Sequence, residues 1–494
     1  MRFKQVATTI VLTLGFFSCS TRAQVVATWT GTNGSWSNAA NWSTNPSVPV
    51  NDTSSGYSVY ISGLSVDSPT VTFDLGVGSI TSLQTDFGAV LQDNGRAPIL
   101  NVVGSSTNFG SAPVTNYGTI NWRTGVLNVT GDYYQTHFGQ GFTTIGDAAV
   151  LNVGGQFTSA QAGLFTVSQG GVTNVGGNFL NGDGTVGTIG GTLQVGGSYQ
   201  NGFAATTTVS GLLGIGGNVL NGYTFDISNR GIVSVDGNFM NTPEMSPSTL
   251  DIRGALNVAG LFTNDQGDVT VRSGGILKSG SYVQSSLGGG NSSTEVAGTL
   301  LTSSYQQTGG DTTIDKGGII SANTFTATSG MVTVNGTVDP AAVEIGPDAT
   351  LQGSGMIIGN LAMGGTMSGG DTLTVLGNYQ QIGSGTLDAL MSPVSRVLLD
   401  IHGDAALGCG SLLDLVLTDG YDPLGHTFVI MRYDSLVGRF ANGGSFWDDG
   451  YLWDITYGQN EIDVTAVRTP EPRPLLMLGM GLMAIVLFKW LGHR

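Results

Sequence analysis

Short segments in which apolar and polar residues alternate recur along this chain, and most of them end in glycine. From Gly125 onward they fall into a register. Leu127-Asn-Val-Thr-Gly131-Asp-Tyr133, Leu151-Asn-Val-Gly-Gly155-Gln-Phe157, Thr173-Asn-Val-Gly-Gly177-Asn-Phe179, Leu193-Gln-Val-Gly-Gly197-Ser-Tyr199, Leu213-Gly-Ile-Gly-Gly217-Asn-Val219, Val233-Ser-Val-Asp-Gly237-Asn-Phe239 and Leu256-Asn-Val-Ala-Gly260-Leu-Phe262 repeat one pattern. The anchor glycines stand 24, 22, 20, 20, 20 and 23 residues apart. Between anchors runs a second alternating segment, as in Thr206–Ser210, Phe225-Asp-Ile-Ser228, Leu250-Asp-Ile-Arg253 and Val269-Thr-Val-Arg272. Period-2 alternation over three to five residues, bounded by glycine, predicts two short β-strands per repeat.

A two-strand unit of this size cannot bury its own apolar face, so the repeats must stack. Stacking predicts a parallel β-solenoid with Leu, Val and Ile inward and polar partners outward. Glycine is expected at corners that need positive φ. Asn181, Asn201, Asn221, Asn241 and Asn264 recur two residues after the aromatic or Val position and are expected to form a column of left-handed or Asx-type turns. Tyr133, Phe157, Phe179, Tyr199, Phe239, Phe262 and Tyr282 are expected to form a ladder in the core; an external strip that stacks sugars is the alternative. About 15 coils at about 4.8 Å each predict a rod about 70 Å long. Trp29, Trp36 and Trp42 fall in one short stretch and read as an N-terminal cap, or alternatively as a carbohydrate-stacking cluster. From Ser392 the strands become longer and bulkier, which reads as a small antiparallel β cap. Cys409 reads as a small buried hydrophobe.

Composition agrees with this reading and narrows the function. Glycine accounts for 79 of 494 residues, and only 10% are charged. Each helical glycine costs about 1 kcal/mol relative to alanine, which disfavours a helix-rich enzyme. Between Gln24 and Thr469 there are 11 basic and 33 acidic residues, a balance that phosphate backbones would repel, so nucleic-acid binding is excluded.

The ends read as processing signals. Arg2 and Lys4 precede an apolar run from Val6 to Phe17, then Thr21-Arg22-Ala23, as in a secretory leader cleaved between Ala23 and Gln24. Cys19 raises a lipoprotein alternative, for which Phe16-Phe17-Ser18 is a poor match. The other end carries Pro470, Glu471 and Pro472, then an apolar run from Leu475 to Phe488, then a basic tail with Lys489 and Arg494. This segment resembles the PEP-CTERM sorting segment of Gram-negative bacteria. The resemblance implies a transmembrane helix, recognition by a membrane-embedded exosortase, cleavage near the motif, and release or transfer at the cell surface, usually in species that make exopolysaccharide. The tail departs from the family in having few arginines.

Trp29–Trp42 and Gly369–Gln381 resemble the repeat-rich passengers of autotransporter-like proteins, which implies a right-handed parallel β-helix. An outer-membrane barrel would have to follow in a true autotransporter, and no residues after the sorting segment read as one. The expected organisation is a signal peptide over 1–23, a Trp-rich cap over 24–50, solenoid repeats over 51–390, an antiparallel β cap over 391–468, and a sorting segment with its transmembrane helix over 469–494.

Motifs of catalysis are sparse. His137, His402, His426 and His493 are dispersed, without zinc spacing. Gly182-Asp-Gly-Thr-Val-Gly187 matches a dinucleotide string but precedes no helix, and reads as a solenoid corner. Asp448-Asp449 reads as a solvated loop pair, and Asp251, Asp268, Asp311 and Asp315 share no repeat position. The sequence points to no enzyme, cofactor or metal. It points to an exported structural or adhesive solenoid, an exosortase substrate associated with exopolysaccharide; a carbohydrate-active β-helix enzyme and a glycan-binding module are the alternatives.

Overall fold

The computed structural model describes residues 23–467 apart from 64–67, 105–111, 137–140, 245–246, 287–290, 370, 394–396 and 419. Residues 1–22 of the leader, the sorting motif, its apolar run and its basic tail lie outside the described residues. The described residues are all-β, with 51 strands and one three-residue 3-10 turn at Ala39–Asn41. Among the described residues no helix is long and apolar enough to cross a membrane. The strands wind into a parallel solenoid of about 15 turns.

One turn shows the plan. Val186–Ile189, Thr192–Val195 and Tyr199–Asn201 are successive strands, and each pairs in parallel with the strand 20 residues on: Thr206–Val209, Leu212–Ile215 and Val219–Asn221. Three sheets result, here termed faces I, II and III. The sequence reading of two strands per repeat is corrected to three. Val195 and Tyr199 read as one run because only Gly196-Gly197-Ser198 separates them, yet that tripeptide turns a corner.

The anchor glycines are needed at that corner for proximity rather than for dihedral freedom. None of Gly155 to Gly260 in the anchor series has positive φ. A Cβ at Gly197 would stand 2.8 Å from the carbonyl carbon of Gly177 in the preceding turn, closer than carbon atoms pack. The backbones approach this closely because the amide of Gly197 donates to the carbonyl of Gly177, 2.9 Å away. Positive φ does occur at other corners, such as Gly184; of Gly182–Gly187, residues 182–185 form the turn and Val186 and Gly187 open the next strand.

Strand residues alternate between core and surface, so Leu193, Val195, Leu213 and Ile215 all point inward and are at most 3% exposed. The aromatic ladder lies in this core. Phe157 and Phe179 stack with centroids 4.7 Å apart and planes at 3°, and Tyr305 and Phe325 stack at 4.6 Å and 3°. Where Val219 interrupts the column, Phe225 from face I enters edge-on, 6.1 Å from Tyr199 and 5.8 Å from Phe239. The hydroxyls of Tyr199, Tyr282 and Tyr305 meet Thr207, Thr294 and Thr312 at 2.6–2.8 Å, so each buried ring keeps a polar partner. Burial pushes these phenols up.

The asparagine column also differs from its expected form. Asn181, Asn201, Asn221 and Asn241 end the face III strands and Asn264 stands one residue before the end of its own, all without positive φ; they are fully buried and pass a hydrogen bond from one side-chain amide to the next. The alternation that buries Phe179 also buries Asn181, two residues on, and the amide is satisfied by its copies above and below.

Both ends of the described solenoid are closed by side chains. Trp29, Trp36 and Trp42 are 4%, 0% and 2% exposed and pack edge to face, with Trp36 5.3 Å from Phe73. At the other end the parallel pairing does not stop near residue 391. Thr386–Met391 pairs in parallel with Leu412–Leu417, and Asp404–Leu407 with Ser435–Gly438. Bulkier strands still stack because inward residues remain in register, as with Leu387 and Leu413. Antiparallel pairing enters with Thr427–Arg432, Ser445–Asp448, Tyr451–Tyr457 and Glu461–Val467. The edge of Leu412–Leu417 is met by acceptors from this part: Asn442 Oδ1 takes the amide of Leu413, Asp448 that of Leu415, and Asp449 that of Leu417, at 2.8–2.9 Å. The reading of Asp448 and Asp449 as a solvated loop pair holds for Asp449, exposed in the turn, and is corrected for Asp448, half-buried at the end of a strand; both carboxylates cover an open strand edge. Cys409 is exposed, not buried, because it occupies the turn Gly408–Gly410 between two strands.

Candidate interaction face

Of the residues singled out in the sequence, Ala23 and Gln24 open the first strand, which pairs in parallel with Ser55–Ile61. Both are exposed, and the Gln24 amide donates to Ser58 Oγ. Pro470, Glu471, Pro472, Lys489 and Arg494 lie outside the described residues. The three tryptophans cannot present flat faces to a sugar, since their rings are buried and their indole N–H groups donate to the carbonyls of Thr32, Pro49 and Trp36. The sequence alternative of a Trp glycan platform is therefore corrected to interior packing.

The outward positions are left to form surface. On face I, Thr144, Thr166, Thr188 and Thr208 stand in register on four successive turns. The next two turns place Asp226 opposite Asp251, and further on Asp268, Ser293 and Asp311 share one register position. The expectation that the acids share no position is corrected for Asp268 and Asp311. The anchors of face II did not reveal this because the loop before Thr249 lengthens one repeat; the recurring Phe225-Asp-Ile and Leu250-Asp-Ile strings carried the signal.

Asp251 pairs with Arg253 at 2.9 Å and with Arg272 at 3.2 Å. Burial, and then the Asp251 carboxylate, push the Asp226 carboxyl above its usual range, and Arg253 opposes the shift. Two carboxylates and two guanidinium groups thus meet on an open face. Among the described residues no three His, Cys, Asp or Glu side chains come together as a metal site.

Face II carries a different chemistry. Asn174 donates its side-chain amide to Asn152, Asn152 to Asn128, and Asn128 to Asn101, each at 2.8 Å, so a hydrogen-bonded amide ladder runs along the outside. Gln194 takes the next position, and at Gly214 the ladder has no side chain. A Cβ there would lie 2.1 Å from Gln194 Oε1, so the Gln194 side chain reaches across the gap. Beyond it Ser234 continues the row, and Asp236 lies just past the strand end. Asn152, Asn174, Gln194, Gly214, Ser234 and Asp236 line a shallow groove of about 710 Å³. Amides and small residues at one position per turn offer donors and acceptors to an extended hydroxyl-rich ligand along the rod axis. Gly214 was legible in the sequence as the odd member of the repeat, but nothing in the pattern showed that its position faces outward beside the amide ladder.

No protein-family model matches the chain, and no curated protein is significantly similar to it.

Proposed function

We propose that this protein is an exported structural or adhesive rod, a right-handed solenoid that lies at the cell surface or in the extracellular matrix in contact with exopolysaccharide. The observation that carries the reading is the repetition of one outward chemistry on successive turns, amides on face II and threonines on face I, along a core held by stacked rings and buried amides. Such a surface offers many equivalent weak contacts along a line, which suits a polymer better than a small molecule. The sequence supplies the address. The leader ending at Ala23 directs export, and the Pro470–Pro472 motif, apolar run and basic tail hand the chain to an exosortase after transient anchoring in the inner membrane. The antiparallel strands after Thr427 serve as the cap between rod and sorting segment. Deleting 470–494 shifts the protein from the envelope fraction to the medium; unchanged fractionation contradicts the reading.

The alignment of Asp226, Asp251, Arg253 and Arg272 favours one second reading, a carbohydrate-active β-helix enzyme, since such chemistry needs carboxylates placed together on an outer face. Release of new reducing or unsaturated ends from acidic and neutral polysaccharides, lost in Asp251→Asn, would support it over the rod.

A further inference from the structure

Face II changes character beyond the groove. Its outward first positions read Ile232, Ala255, Ile276, Thr299, Ile319, Thr337 and Met356 on successive turns, in unbroken parallel register. The larger residues are well exposed: Ile232 45%, Ile276 42%, Ile319 38% and Met356 36%. Large and small side chains therefore alternate, which gives ridges two turns apart, about 10 Å, with gaps of equal width between them. The outward third positions on the same turns include Lys278, Leu301, Ser321 and Asp339, again in register, with Lys278 and Asp339 three turns apart. An exposed apolar row this long on a flat sheet marks an interaction surface.

We propose that this face binds a second copy of the same chain, with the two rods antiparallel and related by a two-fold axis along the strand direction between the turns of Thr299 and Ile319. That axis sets every large residue against a small one: Ile276 faces Thr337, Ile319 faces Thr299, and Met356 faces Ala255. It also sets Lys278 against Asp339 of the other copy, twice per dimer. The shape alternation and the charge pair obey the same axis, as an isologous interface requires. A parallel pair in the same register would reverse the strand direction between copies and set the first positions against the third, Ile276 against Lys278. The row spans about 35 Å, and with strands of two to four residues the face is about 13 Å wide, so it covers about 450 Å² per copy, the size of a weak, reversible association. The proposal rests on the stacking register and not on export or glycan contact.

Sedimentation of the purified full chain tests it. The expected result is a reversible dimer with a dissociation constant near the micromolar range. Ile319→Asp abolishes it. Lys278→Asp and Asp339→Lys each weaken it about tenfold or more, and the double exchange restores it to within about threefold. All four side chains changed point outward, so thermal unfolding reports that each variant folds; if Ile319→Asp does not fold, Ile276→Asp serves. A zero-length carbodiimide cross-link between Lys278 and Asp339 is expected in the dimer band only, since within one copy they are about 14 Å apart. A wild-type chain monomeric to about 100 μM, a dimer indifferent to Ile319→Asp, or a double exchange that fails to restore association overturns the proposal.

Discussion

Asn201 donates its side-chain amide to Asn221 across 2.8 Å, and both residues have no solvent exposure. The same Nδ2 also reaches the carbonyl of Thr224 at 2.8 Å, so the side chain ties one turn of face III to the next turn of face I. Asn181 donates to Asn201 from below at 2.9 Å. Each amide in the column is thus both donor and acceptor, and the column is satisfied only as a whole.

Replacing one member breaks two links. Asn201→Ala is expected to cost about 2–4 kcal/mol, because it leaves the Asn181 amide short of an acceptor, removes the donor to Asn221 and opens a small cavity. Asn201→Gln, which keeps both functions but adds a methylene, costs about 1–3 kcal/mol by overpacking. Chemical unfolding of the two variants checks this; a loss below about 0.5 kcal/mol in both would show that the column contributes nothing to holding the turns.

The corner glycines give a second test. Gly197→Ala is expected to destabilise by more than the few tenths of a kcal/mol that relief of backbone entropy would return, since its Cβ would stand 2.8 Å from the Gly177 backbone. Gly274→Ala has free space but positive φ, so its cost of about 1 kcal/mol is dihedral alone. Thermal midpoints of the two variants separate proximity from dihedral strain, and a smaller loss at Gly197 than at Gly274 would contradict the account.

Asp226 gives a pH dependence. Its carboxyl is raised by burial and then by Asp251, so the folded state holds this proton more tightly than the unfolded chain. The resulting stability is present in acid and is lost as pH rises through the folded-state value. Asp226→Asn is therefore expected to raise the thermal midpoint at about pH 7 and to change it little at about pH 3. An equal gain at both values, or a loss at neutral pH, would show that the carboxylate is not penalised.

Much of the rod was legible in the sequence. The repeat from Leu127 to Phe262 gave the stacking, and the inward aromatic of each repeat gave the ladder. The third strand was hidden because Gly196-Gly197-Ser198 is too short to read as a break. The asparagine column was misplaced because a buried amide and a turn asparagine have the same sequence signature, and only the pairing of Asn181 with Asn201 distinguishes them. Cys409 was assigned by residue type, whereas its place between two glycines in a turn sets its exposure. The surface was least legible. The Phe225-Asp-Ile and Leu250-Asp-Ile strings carry the alignment of Asp226 with Asp251, but loops of unequal length between strands shift the numbering, so that of Lys278 with Asp339 emerges only from the backbone register.

The central claim, an exported rod delivered by a C-terminal sorting segment, is tested most directly by intact-mass spectrometry of the protein isolated from its native cells. The account predicts an N-terminus at Gln24 and a C-terminus cut near Pro470–Pro472, with or without an added group. A chain that retains Met1 and Arg494 in the mature protein would contradict it.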